Sequence, residues 1–185
     1  LGLGYPGGPA ISTHAEIAKL KYEKFKDLKT IVRLPRPMFH SKDFNFSFSG
    51  LKTAVLYLTK NLGADDTKKY TPCIAKEFQQ AVIDILAAKT IRAATRYRVK
   101  MLLLGGGVAA NELLRTTLAR EAKKMKIPLL VPDRSLTGDN GIMIALAAYL
   151  AGTKKAPHKV GALANARLSR EYAITRALRR SHPNP

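Results

Sequence analysis

Apolar residues recur along this chain in two periods, and the change of period divides it into elements. Ile11, Ala15, Ala18 and Tyr22 fall at helical spacing with lysines on the opposite face, which predicts a helix over 10–29 after a Gly/Pro turn at 1–9. Leu34-Pro35-Arg36-Pro37-Met38 has two prolines, each of which holds its predecessor in extended backbone. In Asp43-Phe44-Asn45-Phe46-Ser47-Phe48-Ser49, Phe takes every second position, the alternation of a strand with one buried face. Gly50 would end that strand, and 51–62 reads as a helix. A charged loop at 63–70 leads to the strongest helical pattern, about 72–97. Its apolar stripe is Ile74, Phe78, Ala81, Val82, Ile85 and Ile91, with Lys76, Lys89, Arg92 and Arg96 mostly off it.

The second half changes character. A strand at 99–104 runs into Gly105-Gly106-Gly107, a helix follows at 109–125, then a short strand at 127–131 and an apolar helix at 141–150. Alternation of strand and helix across 99–150 predicts an α/β unit rather than a helical bundle. A strand, a glycine turn and a helix in that order can bring backbone N–H groups and a helix N-terminus up to a phosphate or nucleotide. The same glycines would equally serve tight packing. The turn lacks the Lys-Ser/Thr of a P-loop and the spacing of a dinucleotide fingerprint.

Length and charge narrow the partners. The chain has 185 residues, 46% of them hydrophobic, and 32 Lys and Arg stand against 13 Asp and Glu for a formal charge of +19. Such a balance points to an anionic partner, nucleic acid first, or to a proteome of basic habit. A single cysteine, Cys73, excludes an internal disulfide and suits a reducing, cytoplasmic setting. No apolar run approaches the roughly 20 residues of a membrane span. The opening Leu-Gly-Leu-Gly-Tyr-Pro-Gly-Gly, without Met, reads as a chain entered partway through a fold.

Few residues are placed for chemistry. Asp139, between Gly138 and Asn140-Gly141, is either the cap of the apolar helix or an acidic ligand on a turn with a metal or phosphate-linked role. Asn111, one turn beyond the glycines, is either a plain N-terminal helix residue or an amide within reach of a ribose or phosphate oxygen. His14, His40, His158 and His182 are scattered, with no pair at i, i+4. Cys73, just after Pro72, reads as inert.

Four segments occur in an order that resembles one family. They are Tyr5-Pro6-Gly7-Gly8-Pro9, the stretch from Asp43 through Ser49-Gly50-Leu51-Lys52-Thr53, Gly105-Gly106-Gly107-Val108-Ala109-Ala110-Asn111, and Asp139-Asn140-Gly141-Ile142-Met143-Ile144-Ala145. With Leu34-Pro35-Arg36-Pro37-Met38, they make the chain similar to the C-terminal half of the TsaD/Gcp family, the tRNA adenosine threonylcarbamoyltransferases. The resemblance implies the actin-like ATPase fold of sugar kinases and Hsp70, two lobes around a nucleotide. Residues 1–152 would form the C-terminal lobe with a helical insertion, and 153–185 a basic tail.

It further implies transfer of threonylcarbamoyl from threonylcarbamoyl-AMP to the amine of adenosine 37 in tRNAs reading codons that begin with A. Asp139 would be a catalytic residue and ligand of a divalent metal, iron or zinc. Asn111 would contact the adenylate or ATP/ADP, Gly8 would let the chain close over it, and Gly106 and Gly107 would line it. Implied partners are tRNA, TsaB-type and TsaE-type proteins, and a TsaC-type enzyme that makes the adenylate. The family's His-x-x-x-His pair, Ser-Gly-Gly loop and first lobe do not occur in this sequence, which predicts that the chain is inactive alone. Gly138 stands where the family usually has Thr. Two other readings compete: a generic actin-like ATPase or kinase lobe, and a non-enzymatic basic RNA-binding lobe.

Overall fold

The computed structural model describes residues 1–20, 32–138 and 141–150. Tyr22 and the rest of the helix expected beyond Leu20, Asp139 and Asn140, and the basic stretch after Gly152 lie outside the described residues. The chain divides into one unit over Leu1–Met143 and another from Ile144 onward.

In the first unit, α1 spans Gly7–Leu20. It starts three residues earlier than the pattern predicts, because Pro9 falls within the first turn, where its missing N–H has no intrahelical partner to lose. Ala15 and Ala18 form its buried side. Of the expected extended segment Leu34–Met38, Leu34-Pro35-Arg36 is free of helix and turn and is pinned rather than loose, whereas Pro37 and Met38 enter a turn closed by the Phe39 N–H on the Arg36 carbonyl at 3.1 Å, with Met38 at φ 58°. The Arg36 guanidinium donates from Nε and Nη2 to Asp84 Oδ2 at 3.1 and 3.0 Å, and from Nη1 to Glu77 and to the Leu34 carbonyl. Glu77 also accepts the Leu34 N–H. Burial opposes the Arg36 charge, but the hydrogen bonds to Glu77 and Asp84 outweigh it and raise its pKa.

The expected strand at 43–49 does not form. Residues 44–47 are irregular and α2 begins at Phe48. No strand among the described residues pairs with this segment, and the backbone finds side-chain donors instead. The buried Lys89 Nζ donates to the carbonyls of Asn45 and Asp43, and Arg92 Nη2 donates to the Asp43 carbonyl at 2.7 Å. The alternating Phe residues are partnered one by one: Phe44 against Tyr97, and Phe46 stacked on Phe48. Gly50 does not end a strand; it lies in the first turn of α2, where an added Cβ would approach Pro37 Cγ to 3.3 Å.

Helix α2 spans Phe48–Tyr97 and is broken at Gly63, whose backbone (φ 76°, ψ 176°) is not helical. Leu51, Ala54, Val55 and Leu58 pack against Phe78, Ala81 and Val82, so the helix folds back on itself there. The expected loop at 63–70 is helical beyond Gly63. Asp65 and Asp66 sit in the first turn after the break, where carboxylates favour a helix start, and the Thr67 hydroxyl donates back across it to the Thr59 carbonyl at 3.2 Å. A buried Leu such as Leu51 contributes about 1.5–3 kcal/mol to this packing.

The opposite face of α2 meets the α/β unit. Strand β1 (Leu102–Leu103) pairs in parallel with β2 (Leu129–Leu130), Leu102 opposite Leu129, and α3 (Glu112–Lys124) connects them. Both strands are shorter than the sequence predicts. Ile83 and Ala87 of α2 pack with Leu114 and Leu118 of α3, flanked by Leu104 and Leu129. This is a βαβ arrangement, as the alternation predicts.

Helix α4 (Gly141–Leu150) has the predicted bounds. It straddles the division between the units, and its residues are exposed from Gly141 to Leu150.

Candidate functional site

The glycine turn leaves β1 and becomes a 3-10 helix, Gly107–Ala110, closed by Ala109 N–H to the Gly106 carbonyl at 2.9 Å. Gly106 has φ +84°, a conformation an L side chain rarely adopts, so glycine is required there. A Cβ built on Gly8, Gly105, Gly106 or Gly107 would meet nothing within 4 Å. Close packing among the described residues therefore does not explain these glycines, and the space beside them is open.

Asn111 ends the turn and caps α3. Its Oδ1 accepts the Leu114 N–H at 3.0 Å, the hydrogen bond of an N-cap. Both hydrogens of its amide are also engaged, one by Gln79 Oε1 at 2.9 Å and one by Ser12 Oγ at 3.2 Å. Ser12 in turn donates to the same Gln79 oxygen at 2.9 Å. Ser12 lies one turn after Gly8 on α1, so this triangle ties the start of α1, the middle of α2 and the start of α3 together. The amide hydrogens of Asn111 are thus engaged within the fold. What remains is the second lone pair of Oδ1, an acceptor.

Arg115 clamps the same region. Its Nε donates to the Ala109 carbonyl and its Nη2 to the Pro132 carbonyl at 2.8 Å, joining the glycine turn to the segment after β2. Glu112 reaches across to Arg134 in that segment. The Thr137 hydroxyl donates to the Arg134 carbonyl at 2.7 Å and closes the 3-10 turn Arg134–Leu136, shortly before α4 begins at Gly141.

The structure thus brings α1, Asn111 and the glycine turn together. Asp139 lies outside the described residues, so neither its capping role nor its ligand role is placed. No three His, Cys, Asp or Glu side chains converge as a metal set among the described residues. No described helix is long and apolar enough to cross a membrane.

Sequence reasoning missed Gln79, Ser12, Arg115 and Lys89. Lys89 is off the apolar stripe by pattern, yet it is 1% exposed, with Nζ 2.8 Å from Ser41 Oγ and 3.4 Å from Asp43 Oδ1. Its acceptors, in Ser41, Asp43 and Asn45, lie 44 to 48 residues away along the chain, so no local pattern marked it. Asp43 has its carboxyl held below the usual range by the Asn45 N–H first, then by the Ser41 hydroxyl and Lys89. Cys73 behaves as expected: burial pushes its thiol up, opposed by the charge of Lys76.

Comparison with known proteins gives these residues a context. Residues 1–146 match the family described as TsaD, tRNA N6-adenosine threonylcarbamoyltransferase. Proteins of that name from Thermosipho melanesiensis, Herminiimonas arsenicoxydans and Ralstonia pickettii are 47%, 45% and 43% identical over 149, 150 and 153 residues. The matches cover 80%, 81% and 81% of this chain but 42%, 41% and 42% of those relatives. The chain therefore spans about two-fifths of the length of the relatives it matches. Glycine turn, Asn111 cap and the Gly7-Gly8 start of α1 all fall within the matched stretch, and the chain belongs to the TsaD family of tRNA N6-adenosine threonylcarbamoyltransferases.

Proposed function

We propose that this chain contributes the adenylate-binding part of a tRNA threonylcarbamoyl transferase. The observation that carries this reading is the family match over residues 1–146, which contains the glycine turn, Gly8 and Asn111. In the reaction, the adenosine amine attacks the carbonyl carbon of threonylcarbamoyl-AMP. A C–N bond forms, the C–O bond to phosphate breaks, AMP leaves with the electron pair and the amine gives up a proton. Holding the adenylate in place is the part these residues can perform. Backbone N–H groups at the turn and the N-terminus of α3 suit an anion without any side-chain charge. The open space beside Gly8, Gly106 and Gly107 supports a ligand there.

The finer features rest on the same reading. The fold is part of an actin-like ATPase lobe. Parallel sheets are ordinarily larger and covered on both faces, whereas the described residues form two strands, with Leu103 74% exposed. Beside β1 runs an apolar groove of about 430 Å³ lined by Phe44, Phe46, Tyr97, Met101 and Leu103, which suits further strands. Asp139 offers one carboxylate; a metal ion there needs donors beyond those the described residues supply, and no step above depends on it. The +19 charge suits tRNA as substrate. TsaB-type and TsaE-type partners and a TsaC-type source of adenylate complete the proposal.

The test is transfer by the full-length natural protein, assayed with tRNA, threonylcarbamoyl-AMP and partner proteins. Asp139→Ala is expected to abolish modification. Unchanged modification by that variant would remove Asp139 from the site.

A further inference from the structure

We infer that Gln79, together with Ser12, is a positioning residue that fixes the side-chain amide of Asn111 and so sets which group Asn111 offers a nucleotide. The inference rests on the proposed contact between Asn111 and the nucleotide. Gln79 is a buried polar side chain in the middle of α2. Its Oε1 accepts from Asn111 Nδ2 and from Ser12 Oγ, both at 2.9 Å, while Asn111 Nδ2 reaches Ser12 Oγ at 3.2 Å. An acceptor at this point admits only one orientation of the Asn111 amide. Turned over, the amide would set its oxygen against the Gln79 oxygen and lose the Leu114 N–H at 3.0 Å. The nitrogen is therefore held inward, and the oxygen is what Asn111 has left to offer.

An apolar residue at 79 would fill the space between α1, α2 and α3 equally well. A buried polar trio is costly unless each member is paired, and when paired it imposes one geometry. Here that geometry links two candidate nucleotide contacts. Ser12 sits one helical turn after Gly8, so the trio also holds the start of α1 against the residue that ends the glycine turn.

The test measures ATP affinity by calorimetry on the full-length natural protein and on Gln79→Met, Asn111→Ala and the double variant, with thermal midpoints alongside. Gln79→Met is expected to weaken ATP binding about three- to tenfold, the scale of one orienting hydrogen bond. The double variant should bind no more weakly than Asn111→Ala alone, because Gln79 acts through Asn111. Gln79→Glu, which keeps an oxygen acceptor, should stay within about twofold of the natural protein. Should Gln79→Met fail to fold, Ser12→Ala is read in its place and is expected to weaken binding in the same, Asn111-dependent way.

A Gln79→Met protein with a lowered thermal midpoint but natural ATP affinity would make Gln79 merely structural and overturn the inference. Equal weakening in both Asn111 backgrounds would overturn it too. If Asn111→Ala weakens ATP binding while Gln79→Met and Ser12→Ala do not, the nucleotide contact stands and the positioning role falls. If Asn111→Ala binds ATP as the natural protein does, the nucleotide contact itself is wrong, and this inference falls with it.

Discussion

Lys89 shows how much one side chain can organise. Its ammonium is buried among Ser41, Asp43 and Asn45, with the Phe46 ring 5.8 Å away, and it replaces the ladder partner that the 43–47 backbone lacks. Removing it strands the Asn45 carbonyl. Lys89→Met is expected to cost roughly 2–4 kcal/mol in denaturant unfolding, and a loss below about 0.5 kcal/mol would show that the segment holds without it. Asp43 belongs to the same cluster, and its folded pKa lies below its unfolded value of about 3.9. A depressed carboxyl stabilises the fold above the unfolded pKa, and that contribution is lost as pH falls through the folded one. Acid titration should therefore loosen the 41–46 segment below about pH 4, whereas Asp43→Asn should remove that part of the pH dependence. For Cys73 the shift runs upward, so its thiolate is scarcer at pH 8 than that of an exposed cysteine. Alkylation by iodoacetamide should be slower than for a free thiol in solution; an equal rate would contradict its burial.

At the scale of elements, periodicity was legible where packing follows local pattern and misleading where it does not. The α/β alternation over 99–150 and the bounds of α4 could be read from the order of short apolar runs, glycines and the amphipathic α3, and from the continuous apolar run that opens at Gly141. Phe44, Phe46 and Phe48 alternate as a strand would, yet a strand needs a neighbour. Lys89 and Arg92 reach the backbone from 44 or more residues away, which no local pattern shows. Residues 63–70 look like a loop by charge, but two aspartates after Gly63 start a helix. Asn111 was legible as the residue that follows the glycine turn and opens a helix; its partners Ser12 and Gln79 were not, being 99 and 32 residues away along the chain. Gly63 and Gly106 both hold positive φ, at 76° and 84°. Gly63→Ala should destabilise the α2 hairpin by roughly 1–3 kcal/mol. Gly106→Ala carries a similar strain and is expected to weaken nucleotide binding as well, since its Cβ enters the open space beside the turn. Natural ATP affinity in a folded Gly106→Ala protein would place the nucleotide elsewhere.

For the whole molecule, charge and family membership point the same way. With 32 basic against 13 acidic side chains, binding to a polyanion should be strongly electrostatic. The affinity of the full-length protein for tRNA is expected to fall on the order of a hundredfold between about 50 and 200 mM salt. A flat salt response would detach the charge from RNA recognition. The most direct measurement of the central claim is the N6-threonylcarbamoyladenosine content of tRNA, by nucleoside mass spectrometry, in cells whose own transferase gene is replaced by the natural full-length gene for this protein. The natural gene should restore the modified nucleoside and its Asp139→Ala form should not. Failure of the natural gene to restore it, with the protein present and folded and partners able to engage it, would contradict the account.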